Sequence, residues 1–290
     1  MGAHHVRVLS AHPGFELVGV FDQDLQRATA IANEFGLQAW PDEDMLWNQS
    51  EVLAITCPTS FHAYWMTEAL RRKMPFLVEK PVTHDTTSCE LLLSEVPADF
   101  PAMVGHIERF NPAVMAAGTL PQHARIFECN RHAPFTSRGA DVSVVMDLMI
   151  HDLDLLWSWK PIWPEEIWAS GTAGVGEGPD HVIARLHYAD GTTAALSASR
   201  LADARQRNIC CTGDGWHLRM DLSTGEVFHT LSHTGAPETQ RLVSEETNAL
   251  VLEYSAWHSA LVNHTPPASS LSHASQVLRL AETINRLACS

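Results

Sequence analysis

Positive charge is scarce in this chain. Lys and Arg number 19 against 34 Asp and Glu, a net charge of −15, so the molecule as a whole repels nucleic acid and anionic membrane surfaces. An anionic substrate would need a local basic pocket. Long apolar runs are missing too, since none reaches the roughly 20 residues that cross a bilayer, and a soluble protein with no membrane or nucleic-acid partner is expected. The six cysteines, Cys57, Cys89, Cys129, Cys210, Cys211 and Cys289, contain no Cys-x-x-Cys pair, and no signal-peptide pattern stands ahead of them. Reduced thiols in a cytoplasm are the expectation. Seventeen histidines invite a metal site, but none falls in a His-Glu-x-x-His or Cys/His ligand spacing, so no metal is expected. Internal repeats and low-complexity tracts are absent as well.

What is present fits two domains. A length of 290 residues with 45% hydrophobic content suits two cores. Up to about residue 105, short β-rich runs alternate with helical stretches. Strands are expected over 16–21, 52–56, 75–79 and 102–106, with helices over 3–10, 24–35, 61–72 and 88–94. This alternation argues βαβ units and a parallel sheet. Beyond residue 120 the strands lengthen and are joined by Gly and Asp turns, over 124–130, 166–170, 181–188, 192–199, 208–212, 216–221 and 226–230. Asp190-Gly191 and Asp214-Gly215 are hairpin signals, so this half is expected to be a mostly antiparallel sheet. One helix, 142–159, interrupts it, and a last helix over 274–287 is expected to pack back on the first domain. The domains are therefore placed at 1–118, 119–273 and 274–290, an α/β unit followed by an α+β unit.

Three groups of residues carry chemistry. Glu79-Lys80-Pro81 ends the apolar run 74–78, and in open α/β sheets ligands bind outside the carboxyl ends of the strands. Pro81 cannot continue a ladder and holds Lys80 extended, so the amine points outward. The plainer reading of this pair is a solvated loop. Asp22 ends the strand 16–21, where an acid in a dinucleotide-binding unit bonds the adenosine ribose, about 20 residues after the glycine-rich turn. Counting back reaches Gly2, which would be the last glycine of that turn, with the first strand lacking and the natural start expected upstream. Asp22 could equally be a helix cap or turn residue. As a ribose ligand it favours NAD over NADP, although Arg27 lies near enough to keep NADP open. The third group is Asp147 and His151, four apart and so on one helical face, on a helix apolar nearly all round. A carboxylate beside a His can raise its pKa toward working pH for general acid/base use. The plainer alternative is a surface pair. Such a buried helix carries unpaired charge only at a cost, so its polar residues are expected to face a cleft at the domain boundary.

The ordered set Gly2 with His5, Asp22 with Arg27, Pro58-Thr59-x-x-His62, Glu79-Lys80-Pro81, Asp147-x-x-x-His151-Asp152 and the run Ser199-Arg200 through Arg207 resembles the Gfo/Idh/MocA family of nicotinamide-dependent sugar oxidoreductases over essentially the whole chain. The resemblance implies a Rossmann-type domain followed by a large open sheet used for oligomer contacts, a homodimer or homotetramer. It implies cofactor-binding roles for Gly2, His5, Asp22, Arg27, Pro58, Thr59, His62, Glu79 and Lys80, and catalytic roles for Lys80, Asp147 and His151. Oxidation of a secondary alcohol needs a base for the hydroxyl proton while hydride leaves for the nicotinamide, and an ammonium steadies the developing alkoxide. His151 is taken as the base and Lys80 as its partner, roles that are exchangeable.

A finer resemblance, in Gly105-His106-Ile107-Glu108-Arg109-Phe110-Asn111-Pro112 and Arg131-x-x-Pro134-Phe135-x-x-Arg138, is to the branch that oxidises C3 of UDP-N-acetylglucosamine to a 3-keto sugar, ahead of an aminotransferase serving lipid A or related glycans. It implies that Arg109, Asn111, Arg131, Arg138 and Asp152 face the substrate. Arg forks suit a pyrophosphate. The alternative is that each Arg pairs with a carboxylate such as Glu108, Glu128 or Asp141. Dehydrogenation of another sugar or polyol, and a non-catalytic binding or regulatory homologue, are the competing functions.

Overall fold

The computed structural model describes residues 1–97, 99–136, 142–175, 178–232, 236–243 and 247–289. The chain divides into two compact units, Met1–Ile107 with Asn248–Ser275 and Glu108–Thr247 with Gln276–Ser290.

The first unit opens with α1 (Gly2–Leu9), β1 (Gly19–Val20), α2 (Leu25–Phe35), β2 (Gln38–Ala39), α3 (Glu43–Gln49), β3 (Leu53–Ile55), α4 (His62–Arg71), β4 (Phe76–Glu79), α5 (Thr86–Glu95) and β5 (Met103–Gly105). All strand pairs here are parallel, in two pieces ordered β1-β2 and β3-β4-β5. No ladder joins the two pieces among the described residues. Every residue of β4 is buried, as the continuous apolar run of a covered parallel strand requires. Aspartates start α2, α3 and α5: Asp24 accepts from the Gln26 and Arg27 amides, Asp42 from Met45 and Asp85 from Ser88, each satisfying donors the first turn leaves open. The strand expected over 16–21 contracts to two residues. At Gly19 a Cβ would come within 2.7 Å of the Gln38 carbonyl oxygen, so only glycine allows that close pairing with β2.

The second unit contains α6 (Pro112–Ala117) and β6 (Ile126–His132), then a π-helical turn (Val145–Met149) leading into α7 (Ile150–Trp159). There follow β7 (Glu166–Thr172), β8 (His181–His187), β9 (Thr193–Ser199), β10 (Gln206–Gly213), β11 (Trp216–Asp221), β12 (Glu226–Leu231) and β13 (Glu238–Leu242). These strands form one sheet in the order β13-β12-β11-β10-β6-β9-β8-β7, antiparallel except for the β6–β9 pair. Burial alternates along the strands, so one face enters the core: Phe127, Cys129, Val182, Ala184, Leu196, Ile209 and Leu218 pack with Leu153 and Leu156 of α7. This face-in, face-out alternation is the physical basis of the expected antiparallel domain.

The end of the chain differs from expectation. A helix that was not foreseen, α8 (Ala249–Asn263), belongs to the first unit, where Tyr254 and Trp257 bury against Phe15 at ring distances of 5.9 and 5.4 Å. The last helix, α9 (Leu271–Ala288), was expected to return to the first domain. From Gln276 onward it lies in the second unit, where Val277, Leu280, Ala281 and Ile284 complete the core over the sheet. The boundary expected at residue 118 likewise lies at Ile107 and Glu108, because Ala113, Val114 and Ala117 of α6 bury in the second core.

Candidate active site

In the first unit Asp22, Pro58, Thr59, Glu79 and Lys80 stand at or just beyond the carboxyl ends of β1, β3 and β4. Glu79 closes β4 at 8% exposure, which removes the reading of a solvated surface pair. Its Oε1 lies 2.8 Å from His5 Nε2, and its Oε2 accepts the backbone N–H of Lys80 at 3.1 Å. Burial pushes the Glu79 carboxyl up, but the hydrogen bond from His5, with the charge and backbone amide of Lys80, outweighs it and holds the group below its ordinary value. Lys80 is half-buried, and its bond to Pro81 is cis. His5 was expected to touch cofactor. It is instead buried at 2% exposure, with Nδ1 2.7 Å from the Tyr254 hydroxyl, so its ring is occupied on both sides by protein.

His62 differs in the same way. Its ring is 1% exposed and spans two carbonyls, Pro81 at 2.9 Å from Nδ1 and Cys57 at 3.0 Å from Nε2. It ties the segment after β3 to the segment after β4. Burial pushes His62 below its ordinary value, against the pull of those carbonyls and of Glu79, and a neutral ring donates to one carbonyl at a time. Pro58 leads into the 3₁₀ turn Thr59–Phe61 ahead of α4. The Cys57 thiol is pushed up to about 11, mainly by burial, and is no nucleophile at neutral pH.

Gly2 and Asp22 have the placement a dinucleotide requires. Gly2 is the first residue of α1, whose N-terminus carries no side-chain cap, so its amides and dipole are available to a pyrophosphate. A Cβ at Gly2 would lie 3.3 Å from Thr56 Oγ1, and glycine keeps that approach open. Asp22 follows β1 and accepts the Asp24 amide at 2.9 Å, with Arg27 Nη1 3.7 Å from its other oxygen. The helix cap is Asp24, so the Asp22 carboxylate remains accessible at the strand end. These residues fit a dinucleotide: Gly2 for the phosphates and Asp22 for the adenosine ribose.

In the second unit Asp147 lies in the π turn and His151 in the first turn of α7, both half-buried. A regular α-helix over 142–159 was expected. The π turn widens the backbone ahead of His151, and such turns recur at functional sites. The other polar residues of α7 point into protein. Asp152 accepts from Arg131 at 2.7 and 3.0 Å, and the same guanidinium donates to Glu108 at 2.7 Å, with Arg131 2% exposed. Asp154, fully buried, takes a bidentate fork from Arg109. Asn111 caps α6 through Oδ1 and donates from Nδ2 to Glu108 and to the Leu222 carbonyl. The substrate-facing roles expected of Arg131, Asp152 and Asn111 are therefore corrected: their polar atoms hold one another in the core, because a buried charge is tolerated only when paired. Arg109 likewise spends its fork on Asp154. The alternative, an Arg paired with a carboxylate, holds for Glu108 but through the unforeseen Asp152 and Asp154. Arg138 and Asp141 lie outside the described residues.

Tyr254 and Asp154 escaped the sequence reading. Tyr254 stands 249 residues from His5, with no local pattern to link them, whereas Asp154 could have been found as an acid one helical turn beyond His151.

A parallel-stranded unit with a helix N-terminus and an acid just after a strand, followed by a large open sheet, is the architecture of a two-domain NAD-binding oxidoreductase. Comparison with known proteins gives the same class. Residues 1–98 match the oxidoreductase family model with an NAD-binding Rossmann fold, and residues 115–231 match the Gfo/Idh/MocA C-terminal domain. The chain is 31% identical over 259 residues to UDP-N-acetylglucosamine 3-dehydrogenase of Acidithiobacillus ferrooxidans, covering 87% of this chain and 83% of that one. A solved structure of that enzyme superposes with a TM-score of 0.92 at 28% identity, over 99% of this chain and 93% of the other. An inositol 2-dehydrogenase of Arthrobacter sp. is 30% identical over 168 residues, 54% of this chain and 50% of that protein. The chain belongs to the Gfo/Idh/MocA family of oxidoreductases, and NAD is the cofactor of that family's Rossmann domain. No helix among the described residues is long and apolar enough to cross a membrane.

Proposed function

We propose that the protein oxidises a sugar secondary hydroxyl with NAD, at C3 of UDP-N-acetylglucosamine, yielding the 3-keto sugar that an aminotransferase converts onward for lipid A or related glycans. The observation that supports this most is the similarity to UDP-N-acetylglucosamine 3-dehydrogenase across most of both chains. In this reading Gly2 and Asp22 hold the cofactor, with Arg27, Pro58 and Thr59 beside it, and bound NAD supplies the hydride acceptor. His151 takes the hydroxyl proton, Asp147 orients the imidazole, and the Lys80 ammonium steadies the alkoxide as charge develops. Glu79, His5 and His62 support Lys80 and its neighbouring loop from behind. Arg138 is the cation proposed to meet the nucleotide-sugar phosphates.

A reducing cytoplasm suits the six free cysteines. Self-association through the open face of the second-unit sheet is part of the same proposal, since Ile126, Trp168 and Ile183 stand exposed on its strands. A second reading, oxidation of another sugar or a polyol, draws on the inositol 2-dehydrogenase similarity. The test incubates the protein with NAD and UDP-N-acetylglucosamine, in the presence of an aminotransferase to draw off the 3-keto product. Appearance of the amino sugar is the expected result. Oxidation of myo-inositol or a free sugar, with no product from the nucleotide sugar, would overturn the substrate assignment in favour of the second reading.

A further inference from the structure

A buried row of polar groups runs from α8 through α1 to the end of β4: Tyr254, His5 and Glu79, respectively 0%, 2% and 8% exposed. The Tyr254 hydroxyl lies 2.7 Å from His5 Nδ1, His5 Nε2 lies 2.8 Å from Glu79 Oε1, and Glu79 Oε2 accepts the Lys80 amide at 3.1 Å. Each group constrains the next. An ionised carboxylate only accepts, so the nitrogen facing Glu79 is the one bearing hydrogen. On a neutral ring Nδ1 then presents a lone pair, and the group opposite must donate. Tyr254 can. Its hydroxyl is pushed well above its ordinary value by burial and by the charges of Glu253 and Glu79, so it keeps its proton. Without a donor opposite, the buried Nδ1 lone pair would be left unsatisfied and the ring held from one side only.

We propose that Tyr254 is a positioning residue: by donating to His5 Nδ1 it satisfies and holds the imidazole whose Nε2–H fixes the Glu79 carboxylate and, through its second oxygen, the backbone of Lys80. The arrangement parallels the way a second partner fixes the tautomer of a functional histidine. The proposal rests on the reading of Lys80 as a catalytic residue for its consequence in turnover, but not for the geometry itself. Tyr254→Phe is the sharpest variant, because it removes one oxygen and keeps the ring that packs against Phe15 and Trp257.

The experiment records nitrogen-15 and proton spectra of the full chain labelled at histidine and lysine, for the wild type and Tyr254→Phe, with His5→Gln to assign the His5 signals. The wild type is expected to show His5 as the neutral Nε2–H tautomer. Tyr254→Phe should displace the His5 Nδ1 resonance, which loses its donor, and the Lys80 amide resonance. In turnover, the same variant is expected to lose about tenfold in kcat with little change in the KM for NAD, the size usual for a lost outer-shell partner. His5→Gln, whose amide can still donate to Glu79, should retain more activity than His5→Ala. An Nδ1–H tautomer in the wild type overturns the proposal, and this holds even if Tyr254→Phe does not fold. So does an unchanged His5 Nδ1 resonance or Lys80 amide in a folded Tyr254→Phe, or an unchanged kcat in an active one. If the wild type oxidises no sugar, the proposed function fails while the spectra still decide the link between Tyr254 and Lys80.

Discussion

Lys80 reaches its place through backbone rather than through side-chain bulk. The strand before it is fully buried, its amide is held by Glu79, and the carbonyl of Pro81 is held by His62. Removing the side chain beyond Cβ should therefore leave the fold intact. Lys80→Ala is expected to cut kcat by about two orders of magnitude or more, the scale of a lost acid/base or electrostatic partner, with an unchanged melting temperature. Near-normal turnover in that variant would refute the role given to the amine. Glu79 makes a prediction about stability. Its carboxyl is held below the ordinary value in the folded protein despite burial, so the unfolded chain binds its proton more readily. The stabilisation is present above the ordinary carboxylate range and is lost as pH falls through the lower folded value. Thermal unfolding of wild type and Glu79→Gln should differ most near neutral pH and converge in acid. A gap that widens on acidification would contradict the sign. Glu79 and Lys80 were legible in the sequence as a strand end. The occupation of His5 and His62 was not, because their partners are a distant tyrosine and two backbone carbonyls that no spacing reveals.

Among the elements, α7 shows how a helix can be read correctly and its polar residues misread. Its apolar character predicts burial, and it is buried. The carboxylates at 152 and 154 then need cations within reach, and β6 and the turn before α6 provide Arg131 and Arg109. The Arg131 guanidinium sits between Glu108 and Asp152, both buried. Arg131→Met should cost about 3–5 kcal/mol, since it leaves two buried carboxylates without their cation. Chemical denaturation at neutral pH measures this, and a cost below about 1 kcal/mol, the worth of an exposed pair, would show that the network is solvated. Because Asp152 adjoins His151, the same variant is expected to disturb activity as well as stability. Elements that escaped the sequence did so for identifiable reasons. β2 has two residues, too few for alternation, four of five residues in β13 are exposed, and α8 is apolar on nearly every side and so shows no helical stripe.

For the whole molecule, the eight-stranded sheet presents one face to the core and leaves the other open, with Trp168 54% exposed on β7. If that face joins copies of the chain, Trp168→Glu should shift the protein to a smaller species in sedimentation, as a charge placed in an apolar interface is costly. An unchanged sedimentation coefficient would remove this face from the proposed assembly. The sequence by itself determined the succession of parallel and antiparallel halves, the placement of Glu79-Lys80 at a strand end and the family, because local periodicity and short ordered motifs survive in one dimension. Only the tertiary structure decided that α9 completes the second core while α8 serves the first, that Arg131 and Asp152 satisfy each other, and that Tyr254 stands behind His5. Those outcomes depend on which buried charge finds which partner across the fold. The cost of leaving such a group unpaired is set by three-dimensional neighbours, not by distance along the chain.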